Sequence, residues 1–197
     1  MRRIFQLLPT ILLATGLLVP AVAAADQGKD RTGVQEWGLL SGYGPSSRDG
    51  IFLVPLFGRA AWLLPDVVDE PLHEYDLNLK WVVEAWVAGV FDAPGDAFEG
   101  GVAPIVLKLD YDYGQRFVPY GIGGVGAMYT GLQGQELGGP FEFASFVGGG
   151  LHTFLTDRLA LTLSWRIRHI SNAGIKEPNR GLNTNFFLIG LESFPKR

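Results

Sequence analysis

Between residues 158 and 171 every second side chain is large and apolar: Leu159, Leu161, Leu163, Trp165 and Ile167, opposed by Arg166 and Arg168. Only extended backbone satisfies a period of two, because successive side chains of a strand point to opposite faces. Residues 77–88 repeat the pattern, with Leu77, Leu79, Trp81, Val83 and Val87 against Asn78, Lys80 and Glu84. So do residues 101–113, where Ile105, Leu107, Leu109, Tyr111 and Tyr113 oppose Lys108, Asp110 and Asp112. About eight such segments, near 34–43, 51–63, 77–88, 101–113, 117–129, 141–153, 158–171 and 183–194, are separated by clusters of Gly, Pro, Asp and Asn. This spacing predicts antiparallel all-β structure.

Strands of about ten residues, an even strand count and aromatic residues near strand ends fit an eight-stranded antiparallel up-and-down transmembrane β-barrel. Its apolar face would meet lipid, and a mixed-charge network would fill the narrow interior. A soluble lipocalin-like barrel is the inverse, and alternation alone does not choose between them. The number of long aliphatic, Trp and Tyr side chains favours the membrane barrel, since an eight-stranded lumen would hardly hold them. Two features fit less well: Phe194 is followed by Pro195, Lys196 and Arg197 rather than ending the chain, and residues 64–76 make a long connection where short turns are expected.

Residues 1–25 begin with Arg2 and Arg3, continue through an apolar stretch and end in small residues offering Ala-x-Ala cleavage sites. They read as a secretory signal peptide rather than a spanning helix, because Pro9, Gly16 and Pro20 interrupt the run. Residues 26–197 are then the barrel domain, expected in the outer membrane. The chain has no cysteine, so an exported protein must do without disulfides and thiolate metal sites. A net charge of −4 with no basic, aromatic-rich cluster argues against a nucleic-acid partner.

Several suggestive residues carry little. Gly121–Gly126 spells G-x-G-x-x-G, but inside an alternating segment rather than between a strand and a helix, so a dinucleotide site is not expected. His73 lies among Glu70, Glu74 and Asp76 and reads as a solvated acidic turn, while His152 has no evident partner. No set of His and carboxylates has zinc-ligand spacing, so no structural or catalytic zinc is expected. Asp110 and Asp112 read as members of an interior charge network with Lys108.

Continuing the alternation of the seventh segment puts His169 and Ser171 on the same outward face as Trp165 and Ile167. Their Cα atoms would be about 6.5–7 Å apart, close enough for the side chains to converge. If the N-terminus starts in the periplasm, the seventh strand ends at the outer leaflet, where lipopolysaccharide lies. Asn183, at the start of the eighth segment, falls on that face too. From spacing alone, the plainer reading is that His169, Ser171 and Asn183 mark the polar headgroup boundary.

The block His-Ile-Ser-Asn-Ala-Gly-Ile-Lys-Glu-Pro-Asn-Arg-Gly-Leu-Asn, residues 169–183, followed by the aromatic strand Phe-Phe-Leu-Ile-Gly-Leu-Glu-Ser-Phe, resembles the outer-membrane lipid A 3-O-deacylase (PagL-like) family. The resemblance is strongest over residues 158–194. It implies an eight-stranded barrel that hydrolyses the ester-linked acyl chain at the 3-position of lipid A, needing no cofactor. Carried over, Ser171 would be the nucleophile and His169 its general base. Asn172, Gly174 through its backbone N–H, and Asn179 would be candidates for stabilising the oxyanion.

The family pattern has a glutamate where this chain has Asn183, which puts turnover in question, and Glu177 is the alternative acid. The rival expectations are therefore an active serine-type esterase on lipid A, a catalytically impaired barrel that binds lipopolysaccharide or braces the membrane, and a soluble lipid-binding barrel. Expected partners are lipid A or lipopolysaccharide in the outer leaflet and membrane lipids, with a homodimer allowed.

Overall fold

The structure, a computed structural model, describes residues 33–48, 50–91, 97–132 and 137–196. The expected signal peptide lies outside the described residues. Eight strands follow in order: β1 (Glu36–Pro45), β2 (Phe52–Leu63), β3 (Leu77–Phe91), β4 (Ala97–Tyr111), β5 (Phe117–Thr130), β6 (Phe141–Phe154), β7 (Leu159–Ser171) and β8 (Leu182–Ser193). Each pairs antiparallel with its sequence neighbour, and β1 pairs with β8 from Trp37 opposite Ser193 to Tyr43 opposite Phe187, closing the barrel. The expected fold class is the observed one. Strand bounds shift by a few residues; β4 starts at Ala97 rather than 101.

Two irregularities in pairing lie at β4. The register slips between Val82 and Glu84 on β3 and between Val102 and Ile105 on β4. Pro104 sits inside the second slip, where a residue without an N–H removes no ladder bond. Its carbonyl instead accepts from Trp81 Nε1 at 2.7 Å.

Inside and outside separate as the alternation required. On β7, residues 163, 165, 167 and 169 are exposed while 164, 166, 168 and 170 are buried. Outward positions carry Trp165, Ile167, Phe187, Ile189 and Leu191, an apolar wall suited to hydrocarbon. The lumen is charged and filled. Toward the rim that carries both chain ends, Arg59 is held by Glu192 and lies 3.3 Å from Glu36. Lys80 reaches Asp110 at 2.6 Å, and Lys108 binds both Glu36 and Asp110. Halfway up, Arg166 pairs with Glu84 at 2.7 Å and Arg168 with Glu99. Near the opposite rim Leu53, Val90, Met128, Leu132, Leu137, Ile170 and Leu182 close the interior. Buried ions cost several kcal/mol each to desolvate, and in these clusters each sign meets the other. Glu142, buried on β6, has no partner for either carboxylate oxygen among the described residues.

The two misfits now have physical accounts. Phe194 turns under the barrel, its ring 5.1 Å from that of His152 and 4.9 Å from that of Phe154, so it packs as lumen rather than ending the lipid-facing wall. The 64–76 connection is not a bare turn but holds a helix, α1 (Asp66–His73). Buried Asp69 anchors it, accepting from the Leu79 N–H at 2.9 Å and lying 2.9 Å from His73 Nε2. His73 is thus tied to Asp69, not left as a member of a solvated acidic cluster. His152 also has partners: Thr162 Oγ1 at 2.8 Å from Nδ1, and the Tyr120 ring stacked at 4.5 Å.

Candidate active site

Strand register builds the site. His169 stands directly opposite Asn183 across the β7–β8 pair and opposite Ser145 across the β6–β7 pair. Directly opposed side chains have Cβ atoms about 4.5–5.5 Å apart, so Asn183 needs no loop to reach the imidazole. All three residues are exposed on the outward wall. Because loops rather than chain termini surround this rim, it is the outer one under the usual barrel orientation.

The imidazole is oriented by the amide. His169 Nδ1 lies 2.7 Å from Asn183 Oδ1. An amide oxygen can only accept, so Nδ1 carries the proton and Nε2 presents its lone pair. That is the tautomer a general base requires. Asn183 is fixed in turn, its N–H donating to Ser47 Oγ at 3.3 Å and its carbonyl accepting from the Ser47 N–H at 2.8 Å. Ser171, two residues beyond His169 on the same face and opposite Phe143 in the β6–β7 ladder, is half-buried, and its hydroxyl makes no side-chain hydrogen bond among the described residues. Side chains that meet in a reactive complex are often apart before substrate arrives.

The loop after Ser171 is built around one side chain. Asn172 is buried; its Oδ1 accepts from the Gly174 N–H at 3.0 Å and its Nδ2 donates to the Lys176 carbonyl at 2.7 Å. Its own N–H donates to Asn179 Oδ1 at 3.0 Å. The Ile175 N–H donates to the Asn172 carbonyl at 3.1 Å, with positive φ at Ala173 (56°) and Gly174 (80°), closing a turn with both central residues left-handed. The three residues expected to bind an oxyanion are therefore engaged in holding the loop. Asn172 keeps one amide hydrogen with no partner assigned. Glu177 is not brought to the histidine: its Oε2 accepts from the Asn179 N–H at 3.1 Å.

Two residues of the site escaped sequence reasoning, Ser47 and Ser145. Ser145 was findable by counting alternation along β6 outward from Val147. Ser47 was not, because it reaches Asn183 from the β1–β2 connection. A shallow apolar trough lies on the same wall nearer the midplane, lined by Gly149, Leu163, Trp165, Phe187 and Ile189. One buried grouping could suggest a metal: Glu36, His152 and Glu192 place potential ligand atoms within 4.8 Å of one another. Its carboxylates already neutralise Lys80, Lys108 and Arg59.

The fold and the site together define an outer-membrane barrel with an amide-held histidine near a hydroxyl on its lipid-facing wall. The lipid A 3-O-deacylase (PagL) family matches residues 59–192, and the chain belongs to that family. Lipid A deacylase PagL of Bordetella bronchiseptica is 31% identical over 109 residues, which make up 55% of this chain and 57% of that protein. The match thus spans little more than half the length of that curated relative. Among solved structures, the outer membrane enzyme PagL superposes with a TM-score of 0.60 at 18% identity, covering 79% of this chain and 97% of its own. Neisserial surface protein A superposes at 0.58 with 15% identity, covering 82% and 96%. At these identities the superpositions speak for the barrel fold alone.

Proposed function

We propose that the protein is an esterase of the outer membrane that removes the ester-linked acyl chain from the 3-position of lipid A, with Ser171 as nucleophile, His169 as general base and Asn183 as the residue that orients it. The observation that carries this reading is the 2.7 Å contact between His169 Nδ1 and Asn183 Oδ1 on the wall that meets lipid. With Nδ1 protonated, Nε2 is free to take the Ser171 proton as the hydroxyl attacks the ester carbonyl. The same nitrogen then returns the proton to the departing sugar oxygen, and water repeats the cycle on the acyl-enzyme. The Asn172 amide hydrogen left over from the loop's own bonds is a group the turn can still offer to the oxyanion, the N–H groups of Asn172, Gly174 and Ile175 being already bonded within the loop. The trough beside Trp165 and Leu163 lies four to six residues below His169, roughly 13–20 Å along the strand, where an acyl chain would run toward the bilayer midplane.

Asn183 supports a second reading, a barrel that binds lipopolysaccharide without rapid turnover. An amide can set the tautomer but cannot stabilise the imidazolium that forms in the reaction, and replacing a triad acid by an amide has cost about 10⁴ in rate where it left the wrong tautomer. Here the tautomer is the productive one, which favours the esterase. Mass spectrometry of lipid A from Gram-negative cells making the protein or its Ser171→Ala variant separates the two. The esterase reading expects loss of one hydroxyacyl group with the parent only; identical lipid A in both removes it.

A further inference from the structure

We propose that Arg48, in the β1–β2 connection, is a positioning residue that seats the His169 imidazole through the backbone of Gly181. This rests on the reading of Ser171 and His169 as the hydrolytic pair. Arg48 Nη2 donates to the Gly181 carbonyl at 2.9 Å, joining residues 133 apart in sequence. Gly181 in turn lies against the ring. A Cβ built on it would be 2.6 Å from His169 Cε1 and 3.0 Å from Nε2. Its φ is +64°, a left-handed conformation natural to glycine. The edge of the imidazole that carries the proton-accepting nitrogen therefore rests on bare backbone, and Arg48 holds that backbone in place.

The ring is thus fixed from two sides. Asn183 Oδ1 takes Nδ1, and the Gly181 main chain bounds Cε1 and Nε2. Both anchors depend on the same short connection. Ser46 bridges Thr184, Ser47 exchanges two hydrogen bonds with Asn183, and Arg48 grips Gly181, so the start of β8 is stitched at three successive positions. The first two stitches continue the β1–β8 ladder and keep the barrel shut. The third lies beyond the ladder, on a residue before the first of β8, so barrel closure does not need it. What it restrains is a glycine, the residue with the widest backbone freedom, at a place where the histidine ring meets main chain rather than a side chain. Released, Gly181 would let the ring turn and carry Nε2 away from Ser171. Misplacement of a reacting group by about 1 Å can cost 10²-fold in rate.

The test uses the full chain refolded in detergent and assayed on purified lipid A, with imidazole ¹⁵N spectra in parallel; the His169 signals are assigned by their absence in His169→Gln. Arg48→Met, which keeps the aliphatic stem, is expected to lower kcat roughly 10- to 100-fold with KM within about twofold, and to broaden or remove the His169 Nδ1–H resonance. Arg48→Lys can still donate one bond to the carbonyl and is expected to keep kcat within about threefold. Gly181→Ala, which presses on the ring from the same side, should reproduce the loss of kcat and covers the case in which Arg48→Met fails to refold. Parent-like kcat and spectrum in Arg48→Met, a parent-like Gly181→Ala, or a Lys variant as impaired as Met would each overturn the proposal. If the parent releases no acyl chain, the reading of function fails, whereas the spectra of Arg48→Met still decide whether Arg48 seats the ring.

Discussion

Arg168 and His169 are adjacent in sequence and face opposite media: Arg168 is buried in the lumen against Glu99, while His169 stands on the outer wall against Asn183. The backbone that carries the candidate base is therefore held from behind by an interior ion pair. Rigid elements place reacting groups more accurately than loops do, and here the strand itself is braced at the neighbouring residue.

Replacing Ser171 or His169 by Ala should reduce release of the acyl chain by at least about 10³-fold and leave the barrel folded, since both side chains lie outside the lumen. Lipid A mass spectrometry reads the loss, and the gel mobility shift of an unheated barrel reads the fold. The double variant should be no slower than either single one, because the two act as a unit.

Asn183→Glu should raise kcat roughly 10-fold or more, by giving the imidazolium a counter-charge at the position the amide now fills. Asn183→Leu removes the group that, among the described residues, fixes the tautomer and should lower kcat strongly with little change in KM. Steady-state kinetics on purified lipid A distinguishes the two outcomes, and a fall on Asn183→Glu would show that the amide is preferred.

Arg168→Met strands Glu99 without its partner in the lumen and should destabilise the barrel by about 3–5 kcal/mol. Adding Glu99→Gln should recover part of that loss, since the pair is coupled through a direct contact. Urea unfolding in lipid vesicles, followed by tryptophan fluorescence, measures both.

Asp69→Ala removes the acceptor for the Leu79 N–H and the partner of His73, so α1 should loosen at a cost of about 1–3 kcal/mol confined to that connection. Protease cleavage within residues 64–76 should increase, while acyl release, which is proposed at the opposite rim, should stay at the parent rate.

Much of the fold was legible because a period of two assigns faces residue by residue. Trp165 and Ile167 face out and Arg166 and Arg168 face in, as counting required. The same count carried His169 and Asn183 to one wall. It could not supply their contact, which needs the register between β7 and β8, a property of two strands. Partners of His152 were hidden for the same reason, and for Ser145 counting gives the outward face but not its position opposite His169. The loop was least legible. Nothing in Asn172, Gly174, Asn179 and Glu177 as a string says that their polar groups bind one another, because that depends on how the chain reverses after Ser171. Helix α1 was missed because it is short, contains Pro71 and owes its anchorage to Asp69 meeting Leu79.

The ion pairs and rings packed between the strands, from Lys80 and Asp110 up to Arg168 and Phe186, also determine what the molecule does not do. The described side chains occupy the bore along its height, so a planar bilayer doped with the protein should remain electrically silent. A fatty acid released by the proposed esterase would then have no exit through the middle and would drift off within the leaflet that delivered the lipid.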